Sequence, residues 1–260
     1  MKPYMSYWSG GYRKIPNQYI INMHKISAFF LKKNFNEVHF ITDSESLPYF
    51  KDIKFSSIST DFDLLSKEYG EVWSLNKLYA YKLISQKGDP FFHIDYDVIL
   101  WGGLREKFKK AAIFAQCEER RFHESYEIEK FLKNCPNLYL AGEIQKPKYA
   151  INVGILGGSD LEFFYNYADS ALKLVLDPIN KDFWVNYKGF STNWSKAVIP
   201  EQYYLAVCEE YYNKKIETLF SKQWPEEDEI LEKKYTHLMG AKDQKEVEEK
   251  INVVTKLLNL

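Results

Sequence analysis

Residues 91–100 read FFHIDYDVIL, a run of large apolar side chains broken only by His93 and by two acids, Asp95 and Asp97. The apolar part has the composition of a buried strand, and the acids fall on the chain as it leaves that strand. Side chains two apart on an extended segment point to the same face, so this spacing lets both carboxylates reach one point in space. Such a pair needs a cation, a strong hydrogen-bond network or solvent to neutralise it. The plainer alternative is one Asp capping a turn and the other in water. Position separates the two, because it depends on which edge of the fold the strand end shares with other strand ends.

Upstream, YMSYW (residues 4–8) reads as a short strand running into Ser9-Gly10-Gly11, where glycine permits a sharp turn or close approach to a ligand. A helix is predicted from Pro16, a favourable first helical position, through IINMHKISAFFLKKN with its basic end. EVHFIT (37–42) is the next strand and runs into Asp43. A short strand near 53–58 and helical segments over 61–86 lead to the quoted stretch. Strand, helix, strand in this order opens an α/β fold with a mixed, mostly parallel sheet flanked by helices. Its ligand crevice lies beyond the C-terminal strand ends, where Ser9, Asp43, Asp95 and Asp97 all fall.

Downstream, AAIFAQ (111–116) and YAINVGILGG (149–158) are strand candidates, separated by a charged, irregular section over 117–148 that reads as an insertion with a helical piece near 126–133. Helices are expected over 160–176 and from about Pro200. The final KEVEEKINVVTKLLNL places Val247, Ile251, Val254 and Leu258 on one helical face, expected to pack on the body of the protein. The expected organisation is therefore one domain over 1–242, with halves 1–100 and 101–242, followed by a C-terminal helix over 243–260.

Apolar residues make up 45% of the 260 and aromatic ones 17%, ample for a large core, so disorder is excluded. A formal net charge of -1 gives no general attraction to nucleic acid, whose phosphates demand clustered, unpaired Lys and Arg. Cys117, Cys135 and Cys208 lack metal-type spacing and fit buried thiols in a reducing compartment. MKPYMSYWSGGYRK has no apolar signal-peptide core, and no run approaches the roughly 18 apolar residues of a membrane span. A cytoplasmic protein with at most peripheral membrane association is expected.

Two further features bear on the aspartates. In WSLNKLYAYKLI (73–84), Trp73, Lys77, Ala80, Tyr81 and Ile84 share a helical face, so Lys77 interrupts an apolar stripe and needs an anion, unless its stem carries it to the surface. In YTHLMGAKD (235–243), His237, Gly240 and Lys242 offer a nitrogen ligand, a close backbone approach and a cation. A hard divalent cation such as Mn²⁺ or Mg²⁺ takes oxygen ligands and keeps positions for water and phosphate, which the aspartate pair would suit. Lysine serves phosphate as a point charge.

The combination of HIDYDVIL, AINVGILGG with Asn152 and Gly154, PEQYYLA (200–206) and HLMGAK, in that order, resembles the nucleotide-sugar-dependent glycosyltransferases of the GT-A fold, closest to the family-8 type. The resemblance implies that Asp95, Asp97 and His237 ligate Mn²⁺ or Mg²⁺, that Gly240 and Lys242 touch the donor diphosphate, and that Lys77 binds donor. It sets Asn152 and Gly154 beside the donor sugar and matches Glu201-Gln202 to the family's acidic-Gln pair. The implied reaction moves a sugar from a nucleoside-diphosphate sugar, UDP-sugar foremost, to a hydroxyl of a glycan or glycolipid acceptor, as in polysaccharide biosynthesis. Retention of anomeric configuration is implied, with Gln202 and Asn152 near the sugar; in an inverting enzyme Glu201 would be the general base.

The sequence departs from that pattern at Glu201, where the family has Asp, and at YWSGG, where it has an acidic nucleotide-binding segment. Tyr7, Trp8, Ser9 and Asp43 are the residues expected to take over base and ribose contacts. Two alternatives carry weight. An apolar strand followed by D-x-D also resembles the first motif of haloacid-dehalogenase-type phosphatases, although that motif opens its fold and here about ninety residues precede it. The other is a nucleotide-sugar-binding protein without catalysis.

Overall fold

The computed structural model describes residues 1–11, 15–120, 126–144, 147–192 and 194–238. The C-terminal helix expected over 243–260 lies outside them, as do Gly240 and Lys242. Among the described residues, nine strands form two sheets. They are β1 (Lys2–Ser6), β2 (His39–Ile41), β3 (Ser57–Ser59), β4 (Phe91–Ile94), β5 (Val98–Leu100), β6 (Ile113–Glu119), β7 (Ala150–Gly158), β8 (Glu217–Thr218) and β9 (Tyr235–His237).

The main sheet runs β3-β2-β1-β4-β7-β6-β8. Its first four strands are parallel, β7 is antiparallel to both β4 and β6, and β8 is parallel to β6. This is the mixed, mostly parallel α/β sheet the sequence led us to expect. The C-terminal ends of β1, β2, β4 and β6 therefore share an edge with the N-terminal half of β7.

Four helices of two turns or more pack on this sheet or on one another: α1 (Gln18–Asn34), α2 (Leu75–Ser85), α3 (Leu161–Leu176) and α4 (Tyr204–Tyr211). The Asn17 side chain accepts the Ile20 amide at 3.0 Å to start α1, and Lys32 and Lys33 complement the dipole at its end. Asp160 caps α3 in the same way through the Phe163 amide. Alternation in the strands feeds two cores. Tyr4 and Phe91 pack with α2 and α3 on one face, while Met5 and Phe92 pack with α1 on the other. Burial of each of those Phe rings contributes roughly 2–3 kcal/mol. Among the described residues no helix is long and apolar enough to cross a membrane.

Three expectations are corrected. FFHIDYDVIL is not one strand with its exit. It is β4, a turn at Asp95-Tyr96-Asp97 closed by the Val98 amide on the Asp95 carbonyl at 3.1 Å, and then β5, which leaves the main sheet to pair with β9. The two carboxylates are thus gathered by a turn and not by strand alternation. The section over 117–148 is not a peripheral insertion from its start, since β6 continues to Glu119 and carries that acid to the shared edge. The helix expected from Pro200 begins as a π-helical turn over Ile199–Tyr203 before α4.

Candidate metal centre and the polar cluster beside it

The turn after β4 presents Asp95 and Asp97 at the shared edge, and β9 brings His237 opposite Val98. Ligand atoms of Asp95, Asp97 and His237 all lie within 4.8 Å of one another. His237 Nε2 is 3.4 Å from Asp97 Oδ1, with Asp97 about one-fifth exposed. The Leu238 amide donates to the Asp97 carbonyl at 2.8 Å, fastening the strand that bears the histidine to the turn that bears the acids. Two carboxylates and one imidazole, partly open on one side, make a donor set suited to a divalent first-row cation or Mg²⁺.

Lys77, on the first turn of α2, faces inward, one of the two orientations its place in an apolar stripe left open. The anion it meets is a pair of carboxylates. Its ammonium lies 2.8 Å from Asp95 Oδ1, 2.9 Å from Asp95 Oδ2 and 2.8 Å from Glu201 Oε1. Burial works against the ammonium, but Asp95 and Glu201 outweigh it and raise its pKa. Burial raises the Glu201 carboxyl to about 7 against the pull of Lys77, with the charge of Asp95 adding to the rise. Asp95 is likewise raised by burial, offset in part by Lys77. For Asp97 burial is outweighed by His237 and Lys77, and its carboxyl is held below the usual range.

With all three carboxylates ionised and His237 neutral, this group carries three negative charges and one positive, a formal excess of two. That is the charge of one divalent cation.

A second cluster adjoins it along β7. Asn152 Nδ2 donates to Glu119 Oε1 at 2.6 Å, and the Gly154 amide donates to Asn152 Oδ1 at 3.0 Å. The Tyr126 hydroxyl meets Glu119 Oε2 and, at 2.6 Å, Gln202 Oε1. Trp194 packs edge-on against the Tyr126 ring. Asn152 and Gln202 are thus joined through Glu119 and Tyr126, two residues that motif reading passed over. Alternation in AAIFAQ does not reach Glu119, because the register shifts between Ala115 and Cys117 and Cys117 packs on the Phe114 side; beyond the shift Glu118 and Arg120 pair with each other.

The residues expected around base and ribose lie one strand over. Asp43 is buried, and its carboxylate accepts the Ser9 amide at 2.6 Å, the Ser46 amide at 2.9 Å and the Ser46 hydroxyl at 3.1 Å. It buckles the loops after β1 and β2 together. Tyr7 packs against Phe50 and His24. Trp8 fills the space where a Cβ on residue 10 would stand 2.2 Å from its indole, so the glycine at position 10 accommodates the ring. Gly154 lies beside the acids, its carbonyl accepting the Asp95 amide at 2.9 Å.

The chain belongs to the family of unknown function DUF6734, whose model matches residues 5–259. No curated protein sequence matches it. Among solved structures it is similar to the apo form of mouse xyloside xylosyltransferase 1, at 10% identity and a TM-score of 0.43, over 84% of this chain and 85% of that one.

Proposed function

We propose that the protein is a metal-dependent glycosyltransferase of GT-A type that moves a sugar from a nucleoside-diphosphate sugar, UDP-sugar foremost, to a hydroxyl of a glycan or glycolipid. The observation that carries this reading is the convergence of Asp95, Asp97 and His237, from distant parts of the chain, on one point at the C-terminal strand edge. These three would hold Mn²⁺ or Mg²⁺, which when bound supplies electrostatic stabilisation to a departing diphosphate. The order of the motifs along the chain supports the same class.

Lys77 neutralises Asp95 and Glu201 and so fixes both carboxylates for their tasks. Its contact with donor would be made from between them. Glu201, Gln202 and Asn152 belong at the sugar, with Glu119 and Tyr126 holding the last two in place. Retention fits a Glu201 already committed to a lysine, since a general base for inversion would need that carboxylate free toward an acceptor hydroxyl. The nucleoside belongs at the loops after β1 and β2, around Tyr7, Trp8 and Ser9, with Asp43 shaping that wall.

The test is a panel of nucleoside-diphosphate sugars incubated with purified protein and Mn²⁺, read as released nucleoside diphosphate. Release from at least one donor, lost in Asp97→Ala with the far-UV spectrum unchanged, is expected. Equal release by Asp97→Ala overturns the assignment.

A further inference from the structure

His237 is held from behind by a residue outside the motifs. Gln116 sits where the register between β6 and β7 shifts between Ala115 and Cys117. An irregularity of this kind re-aims a side chain beside a site. Gln116 Oε1 lies 2.8 Å from His237 Nδ1 and accepts the Tyr235 hydroxyl at 2.6 Å. Gln116 is buried, and the pocket it shares with the imidazole exists because residue 154 is glycine. A Cβ there would stand 2.3 Å from Gln116 Oε1 and 2.5 Å from His237 Nδ1.

The chemistry of this contact selects one tautomer. An amide oxygen only accepts, so the ring nitrogen facing it carries the hydrogen. A neutral imidazole has one such hydrogen, which leaves a lone pair on Nε2. Nε2 faces Asp97 Oδ1 across 3.4 Å, so without a proton on that nitrogen both atoms are acceptors. Two acceptors facing each other are stabilised by positive charge between them. A metal-ligating histidine is commonly oriented and made more basic by a hydrogen bond from its other nitrogen.

We propose that Gln116 is the positioning residue of the metal centre: the shift in β6 and the missing side chain at Gly154 set its carbonyl against His237 Nδ1, so that Nε2 is presented as a ligand alongside Asp97. This rests on the metal-site reading above.

The tautomer and the affinity test it separately. Long-range proton-nitrogen spectra of the metal-free protein, with the His237 signals assigned by His237→Ala, are expected to show hydrogen on Nδ1 whenever the ring carries a single hydrogen. A ring carrying its single hydrogen on Nε2 overturns the proposal. Mn²⁺ binding, followed by the electron spin resonance of free Mn²⁺, is expected to weaken about 10- to 100-fold in Gln116→Leu, to return in Gln116→Glu, which keeps an acceptor, and to be unchanged in Tyr235→Phe, which keeps the contact to His237. Equal affinity in Gln116→Leu, or equal loss in Tyr235→Phe, overturns it and leaves the metal site standing. A wild type that binds no Mn²⁺ removes the metal reading and with it this role for Gln116, whatever the tautomer.

Discussion

Lys77 holds Glu201 through an ion pair of 2.8 Å at the floor of the candidate site, with the same ammonium shared by Asp95. The consequence for stability is asymmetric. Taking away one partner of a buried ion pair leaves the others uncompensated, which costs more than the pair contributes net.

Lys77→Met is therefore expected to destabilise the protein by about 3 kcal/mol at neutral pH. The loss should shrink as pH falls and the stranded carboxylates take up protons. Urea unfolding of both proteins at pH 7.5 and 5 checks this, and a difference that does not narrow at the lower pH would contradict it.

Tyr126→Phe removes the hydroxyl that joins Glu119 to Gln202 while keeping the ring against Trp194. Donor turnover is expected to fall about 10-fold or more, in keeping with the loss of a positioned hydrogen bond to a charged group, with Mn²⁺ affinity unchanged. A parallel fall in Mn²⁺ affinity would show that the two clusters do not act separately.

Asp43→Ala leaves the Ser9 and Ser46 amides without their acceptor. A loss of about 2 kcal/mol is expected from unsatisfied buried donors. Thermal and urea unfolding without nucleotide measure it. If stability is unchanged and only nucleotide affinity falls, the residue acts on ligand and not on the loops.

His24 is fully buried between α1 and the sheet, stacked on Tyr96, with Nδ1 donating to the Ile20 carbonyl at 2.8 Å. Burial lowers its pKa to about 4 from an ordinary 6.5. The unfolded chain thus binds the proton that the folded chain refuses. The stabilisation linked to this residue is full above pH 6.5 and is lost as pH falls from 6.5 to 4, in all about 3 kcal/mol. His24→Phe should flatten that part of the stability profile, and a profile of unchanged slope would rule the residue out as its source.

Much of this was legible in the residues. The apolar runs at 91–94 and 150–158 and the basic end of α1 announce strand and helix because composition and period agree, although α1 starts at Gln18 behind an Asn17 cap and not at Pro16. Lys77 drew notice because it breaks a stripe, with burial against an anion and escape to the surface both open to it. What escaped is set by partners distant in sequence. The departure of Val98–Leu100 to a second sheet depends on β9. The re-aiming of Gln116 depends on a register shift against β7. Glu119 was hidden by its neighbours, since EERR reads as a solvated run and the register shift before Cys117 breaks the alternation of the strand. Lys77 met carboxylates instead of a phosphate because Glu201 arrives on a π-helical turn that Pro200 alone does not reveal.

The three-residue strand bearing His237 is tied to the chain just past Asp97, so the candidate metal centre straddles the neck of a loop that contains β6, β7, α3 and α4. Any ligand gripping Asp97 and His237 together acts as a reversible cross-link across that neck, limiting how far the enclosed half can open without releasing it. Occupancy of the site and resistance of the enclosed half to proteolysis should then rise together.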